Sequence, residues 1–218
     1  MTEDEKLSLD RQKRLAPVHE AGHVIAARYC QMKIVSADIN THENQCGLVT
    51  VVPMGADYSK STGLPLDKEE AFIGFNRHNF KLLAGPAAQA IYCFKHGVKT
   101  LEGFMPIQPE IWGIILEFPK DDSFCEFDER KLTNGMAFFL NEMGASGDWK
   151  RVLNHFKALP YHYFDELSTH DKRIGYLRQY WGGALELLGE RWDKVIIVAE
   201  GLEREGELSG DQIESILA

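Results

Sequence analysis

No run of the chain approaches the roughly twenty consecutive apolar residues that a membrane-spanning helix requires, so no membrane span is expected. Cysteine is scarce, and Cys30, Cys46, Cys93 and Cys125 are widely separated, with no CxxC pair. That spacing excludes a zinc ribbon or a redox dithiol and leaves reduced, buried packing as the expected role of these thiols. Basic residues are too few for a phosphate-binding stripe, because 24 Lys and Arg face 33 Asp and Glu for a net charge of -9. Nucleic acid is therefore not an expected partner. Internal repeats, low-complexity segments and a GxxxxGK[ST] phosphate loop are all missing. The acidic start, Met1-Thr2-Glu3-Asp4-Glu5-Lys6, lacks the basic-then-apolar order of a signal peptide, which makes the cytoplasm the expected location.

What the chain does carry suits a globular domain. With 218 residues, 44% of them hydrophobic and 26% charged, it can bury a sizeable core, and a single domain over 1–218 is expected. Leu7 to Arg14 reads as a charged helix or lead-in, and Pro17 suits the first turn of a second helix reaching Tyr29 or Cys30. Lys33 to Ile39 and the β-branched run Cys46 to Pro53 read as two strands joined by a polar turn around Thr41 to Gln45. An exposed edge on the second strand would suit an extended peptide, although an ordinary core strand is the commoner reason for such a run.

Met54 to Leu66 reads as a surface loop. From Asp67, an expected N-cap, a helical pattern reaches Lys95, with a break into two helices expected at Gly85-Pro86. Residues 97–127 have no clear period, and Ile111 to Leu116 fits a strand or a buried helical turn. Phe127 to Glu142 reads as a helix, and Asp148 as the N-cap of another over Trp149 to Lys157. Two long helices follow, at about Asp165 to Leu188 and Trp192 to Glu205, and the segment Gly206 to Asp211 opens a last short one. The sum is a mainly α (α+β) chain with a small β-hairpin or short sheet early on.

His19-Glu20-Ala21-Gly22-His23 is the segment that carries chemistry. Residues four apart on a helix lie about 40° apart around its axis, so His19 and His23 share a face and can bind one metal ion. The HExxH pattern is that of zinc hydrolases, in which the glutamate serves as general base to the zinc-activated water. Glu20 takes that role here, and the metal expected is zinc. Without a metal, burying two imidazoles and a carboxylate would cost several kcal/mol unless each found hydrogen-bond partners.

Catalytic zinc commonly takes three protein ligands, so one more must come from downstream. The HExxHxxGxxH extension fails, because Ala26 and Tyr29 stand at its glycine and third histidine. Glu142 suits a helical glutamate ligand, whereas Asp148 lies at the glycine-rich turn Gly144-Ala145-Ser146-Gly147, where backbones can approach closely. The chemistry of the residues alone does not choose between them.

His19 to His23, followed by small apolar residues, resembles the HEAGHA segment of the peptidase domain of FtsH-type ATP-dependent zinc proteases. Three later segments agree in order. Leu83-Ala84-Gly85-Pro86-Ala87-Ala88-Gln89 is similar to the family's LGGRAAE, Gly144 to Asp148 to its GASND, and Gly206 to Leu217 to its terminal ETLxGxEI helix. The resemblance implies a helical zincin-like peptidase domain, with Asp148 rather than Glu142 as the third zinc ligand. It implies a polypeptide substrate. Two replacements depart from the family, Pro86 for its arginine and Gln89 for its glutamate, and residues 97–143 form a longer connection that reads as an insertion. The missing phosphate loop means that the ATPase half of such proteases is not present in this chain, so it resembles a free-standing peptidase domain that would cleave flexible or unstructured segments, or would borrow an ATPase or unfoldase in trans.

His42, His78, His96, His155, His162 and His170 make no second HxxxH or HxH pair and receive no catalytic role. Tyr161 and Tyr163 are read as packing residues. The competing readings are a catalytically silent interaction module on the same fold and a zinc hydrolase of a non-peptide substrate.

Overall fold

The structure, a computed structural model, describes residues 3–40, 47–52, 68–95, 146–158, 165–167 and 169–218. Outside the described residues lie the turn expected at 41–45, the loop at 54–66, the cap at Asp67, the insertion at 97–143 with its helix and Glu142, and Tyr161 to Tyr163. The described part is mainly helical with one small antiparallel sheet. Among the described residues no helix is long and apolar enough to cross a membrane.

Helix α1 runs without interruption from Glu3 to Tyr29, with Pro17 inside it rather than in the first turn of a second helix. A proline inside a helix removes one backbone hydrogen bond, at about 3 kcal/mol. Burial on both sides of it offsets that loss, since Leu15, Val18, Ala21, Val24 and Ile25 all lie in the core. The helix ends in paired bonds, Gln31 N–H to Arg28 O at 3.0 Å and Met32 N–H to Ala27 O at 2.9 Å, with Gln31 left-handed at φ 57°. This is a Schellman ending with glutamine where glycine is usual.

Helix α2 (Lys68–Lys95) likewise passes straight through Gly85-Pro86, where a break was expected. A residue before proline is pushed out of helical geometry partly by its own Cβ, and Gly85 has none. The flanking Leu82, Leu83, Ala84, Ala87, Ala88 and Ala90 are buried, so tertiary packing holds the helix through the proline. That packing is chiefly against α1, at a very short range: a Cβ on Gly22 would lie 2.5 Å from the carbonyl oxygen of Ala84.

Strand β1 (Ile34–Asp38) pairs antiparallel with β2 (Leu48–Val51), as a hairpin-like early sheet was expected to do, with a register irregularity between Ile34 and Ser36. On its other side β1 pairs with β3 (Glu207–Ser209), giving the order β2-β1-β3. The third strand was not anticipated.

Helix α3 (Ser146–Ala158) includes Asp148 in its first turn, so Asp148 is not the N-cap expected for it. A 3-10 turn at Asp165–Leu167 precedes α4 (His170–Glu190), whose cap is Thr169 rather than a residue near Asp165. Helix α5 (Trp192–Glu205) closes at Gly206, and α6 (Gly210–Leu217) opens with a reciprocal Ser209–Gln212 capping box. The core lies where α1 meets α2 and α5, with α4 behind α2.

Candidate metal centre

Elements far apart in sequence meet at the middle of α1. His19 and His23 stand one turn apart on its buried side, and the first turn of α3 brings Asp148 to them across 129 residues. His19 Nε2 is 2.8 Å from Asp148 Oδ2. His23 Nε2 is 3.3 Å from the same oxygen and 3.0 Å from His19 Nε2. On its far side the His23 ring donates from Nδ1 to the carbonyl oxygen of Lys81 at 2.7 Å. With Nδ1 so committed, the neutral ring presents the lone pair of Nε2 to its neighbours.

The donor set fits a divalent ion of zinc's kind. Ligands on a tetrahedral zinc with bonds of about 2.0–2.1 Å stand roughly 3.3 Å apart, close to the triangle of 2.8, 3.0 and 3.3 Å formed here. Two imidazole nitrogens facing each other at 3.0 Å also need a hydrogen or a metal ion between them. In the metal-free protein a proton answers that need. Burial pulls the His19 pKa down, but the hydrogen bond and charge of Asp148, with the charge of Glu20, outweigh it and raise the value to about 9. Burial would raise the Asp148 carboxyl, yet His23 and His19 hold it well below the usual carboxylate range.

Glycine keeps this space open. A Cβ on Gly85 would fall 2.6 Å from His19 Nε2 and 2.6 Å from His23 Nε2, so no other residue at this turn of α2 leaves both nitrogens clear. Gly47, just before β2, has the same relation to Glu20, with a Cβ position 2.5 Å from Oε1.

Glu20 is 5% exposed and follows His19 directly, and donor atoms of His19, Glu20 and His23 lie within 4.8 Å of one another. Among the described residues Glu20 Oε2 is buried with no hydrogen-bond partner. Burial raises the Glu20 pKa against the pull of His19 and His23. A proton-accepting oxygen therefore stands unengaged beside the donor triangle, as a general base requires.

Lys81 and Gly85 were not singled out in the sequence. Lys81 has a signal there, a lone charge in the apolar run Phe80-Lys81-Leu82-Leu83, whereas Gly85 was read as a helix breaker and as part of the LGGRAAE-like segment, with no role at the metal site. Gln89 is buried and favours the charged form of His19. His78 and His155 face each other between α2 and α3, with ring centres 5.0 Å apart.

No protein-family model matches the chain, and no curated protein matches it.

Proposed function

We propose that this protein is a zinc-dependent metallopeptidase that hydrolyses peptide bonds in flexible polypeptides, in the manner of the FtsH-type peptidase domain it resembles. The observation that carries the reading is the meeting of His19 Nε2, His23 Nε2 and Asp148 Oδ2 within 3.3 Å beside the unengaged carboxylate oxygen of Glu20. His19, His23 and Asp148 would hold the ion, which when bound polarises the scissile carbonyl and acidifies water. Glu20 accepts the proton of the attacking water and delivers it to the leaving amine. Its raised pKa suits both halves of that transfer. The Lys81 carbonyl fixes the ring and tautomer of His23 throughout.

Among the described residues strand β2 is an edge of the sheet, and the chain entering it lies against Glu20 at Gly47. An extended peptide added to that edge would pass the donor triangle, which favours polypeptide over a small substrate. The acidic start of the chain supports a cytoplasmic setting for the reaction, and folded substrates would need an unfoldase in trans.

One observation favours a silent module instead: the buried neighbour of His19 is the neutral Gln89, where the resembling family has a glutamate. Metal content by mass spectrometry on the wild type, His23→Ala and Asp148→Ala, coupled to cleavage of unstructured casein, separates the two. One zinc per chain, lost in both variants together with cleavage, supports the peptidase. A folded wild type that takes up no supplied zinc and cleaves nothing supports the silent module.

A further inference from the structure

Lys81 is a second charged group built into the wall of this site, and the HExxH chemistry makes no use of its side chain. It is 7% exposed, in the turn of α2 whose backbone carbonyl receives His23 Nδ1. Among the described residues its ammonium forms no ion pair, and its one hydrogen bond there is a long contact of 3.5 Å to the carbonyl oxygen of Val49 on β2. Glu20 lies against the same stretch of chain at Gly47, so cation and carboxylate share the β2 wall. Burial lowers the Lys81 pKa, Asp148 and Glu20 attract the ammonium and oppose that shift, and Arg151 adds to it.

Burying an ammonium costs several kcal/mol unless its donors and charge are answered, and among the described residues one long bond leaves most of that cost standing. The charge count shows what would answer it. With a divalent ion bound, its two positive charges, that of Lys81 and that of Arg151, 4.0 Å from Asp148 Oδ1, meet one negative charge each on Asp148 and Glu20, and two positive charges remain. Lys81 is the buried one of the two side-chain cations.

We infer that the Lys81 ammonium is a catalytic group that binds and stabilises the anionic oxygen developing on the scissile carbonyl as water adds to it, and that its surplus charge selects tetrahedral oxyanions for this site. The inference rests on the metal-hydrolase reading above. In the addition step the carbonyl π pair moves onto oxygen as the water oxygen bonds to carbon and Glu20 takes the proton. Lys81 donates a hydrogen bond to that oxygen and releases it when the carbonyl re-forms and the amine leaves. Preorganised donors of this kind act most strongly in a water-poor site.

The test uses the full chain loaded with cobalt(II) and, as probe, dimethylphosphinate, a tetrahedral monoanion, titrated by phosphorus NMR and by the cobalt visible bands. Wild type, Lys81→Met and Lys81→Arg are compared, with bound metal and melting temperature measured on each. The expected result is phosphinate binding roughly tenfold weaker in Lys81→Met at unchanged metal content, and partly restored in Lys81→Arg. In casein-peptide cleavage by the zinc form, kcat should fall by about a hundredfold in Lys81→Met with KM nearly unchanged, as for the loss of one oxyanion donor. Equal phosphinate affinity in metal-loaded wild type and Lys81→Met overturns the inference, as does no binding to the wild type. Should Lys81→Met fail to fold, Lys81→Arg and Lys81→Gln carry the same comparison. Lys81-dependent phosphinate binding without peptide cleavage would support the inference and reject the peptidase reading. A wild type that takes up no metal would reject both.

Discussion

The Nδ1–H of His23 donates to the backbone carbonyl of Lys81 at 2.7 Å, joining α1 to α2 where the two helices cross. In a helix that carbonyl would ordinarily receive the N–H four residues on, at Gly85, and Gly85 is also the residue that leaves room for both imidazoles. One turn of α2 thus orients a ring and clears the space in front of it. Because the acceptor is backbone, replacing the Lys81 side chain leaves the orientation of His23 intact, and the side-chain test above reads the ammonium alone.

Removing a donor should remove the metal. Asp148→Ala takes away the only carboxylate oxygen within 3.3 Å of both Nε2 atoms among the described residues, and His23→Ala takes away one of the nitrogens. Each should lower zinc content from one per chain to near zero after dialysis, while Glu142→Ala should keep it. Normal zinc in Asp148→Ala with loss in Glu142→Ala would move the third ligand to Glu142.

Glu20→Gln separates binding from chemistry. Glu20 Oε2 makes no hydrogen bond among the described residues, so the amide perturbs no partner of that atom. Zinc content and melting temperature should match the wild type, and kcat on an unstructured peptide should fall by about 10²–10⁴-fold, the usual contribution of a positioned base. Retained turnover would exclude Glu20 as the base.

Glycine substitutions on the crossing should differ by position. A Cβ at Gly22 would meet Ala84 O at 2.5 Å and Ala88 Cβ at 2.7 Å, both rigid neighbours, so Gly22→Ala should cost about 1–3 kcal/mol of stability. Gly85→Ala should in addition weaken zinc binding by at least about tenfold, since its methyl meets the two Nε2 atoms themselves. Gly182→Ala on α4, with nothing within 4 Å, should be neutral or stabilising by up to about 1 kcal/mol. Chemical denaturation and a zinc competition titration read the three.

The helical character and the early pair of strands were legible because their periods repeat over many residues, and the pairing of His19 with His23 because four-residue spacing is geometry contained in one helix. Two proline signals were misread for one reason: Pro17 and Gly85-Pro86 are local punctuation, and core burial on both sides overrode them. Strand β3 has three residues, too few to show a period, and exists because β1 offers it an edge. The place of Asp148 beside the imidazoles depends on how α3 docks, which residue chemistry left open against Glu142 and only a family resemblance ranked. Lys81 escaped notice for a related reason, since its carbonyl matters only once α2 has crossed α1.

Acid should destabilise the protein through His78. Burial lowers its pKa from 6.5 to about 3, and Lys81, His155, Arg151 and His23 push in the same direction, so the folded ring stays neutral where the unfolded ring is charged. Above pH 6.5 both states are neutral and the group contributes no pH dependence. As pH falls from 6.5 towards 3 the unfolded state binds a proton that the folded state refuses, so stability is lost progressively and the loss levels off below about 3. His78→Gln keeps a polar side chain and removes the titration. Carboxylates titrate equally in both proteins, so the difference in melting temperature between His78→Gln and wild type isolates the imidazole. That difference should be constant above pH 6.5 and shift in favour of the variant between 6.5 and 3. A difference that stays flat across the window would mean that His78 takes up its proton in the folded protein as readily as in the unfolded chain.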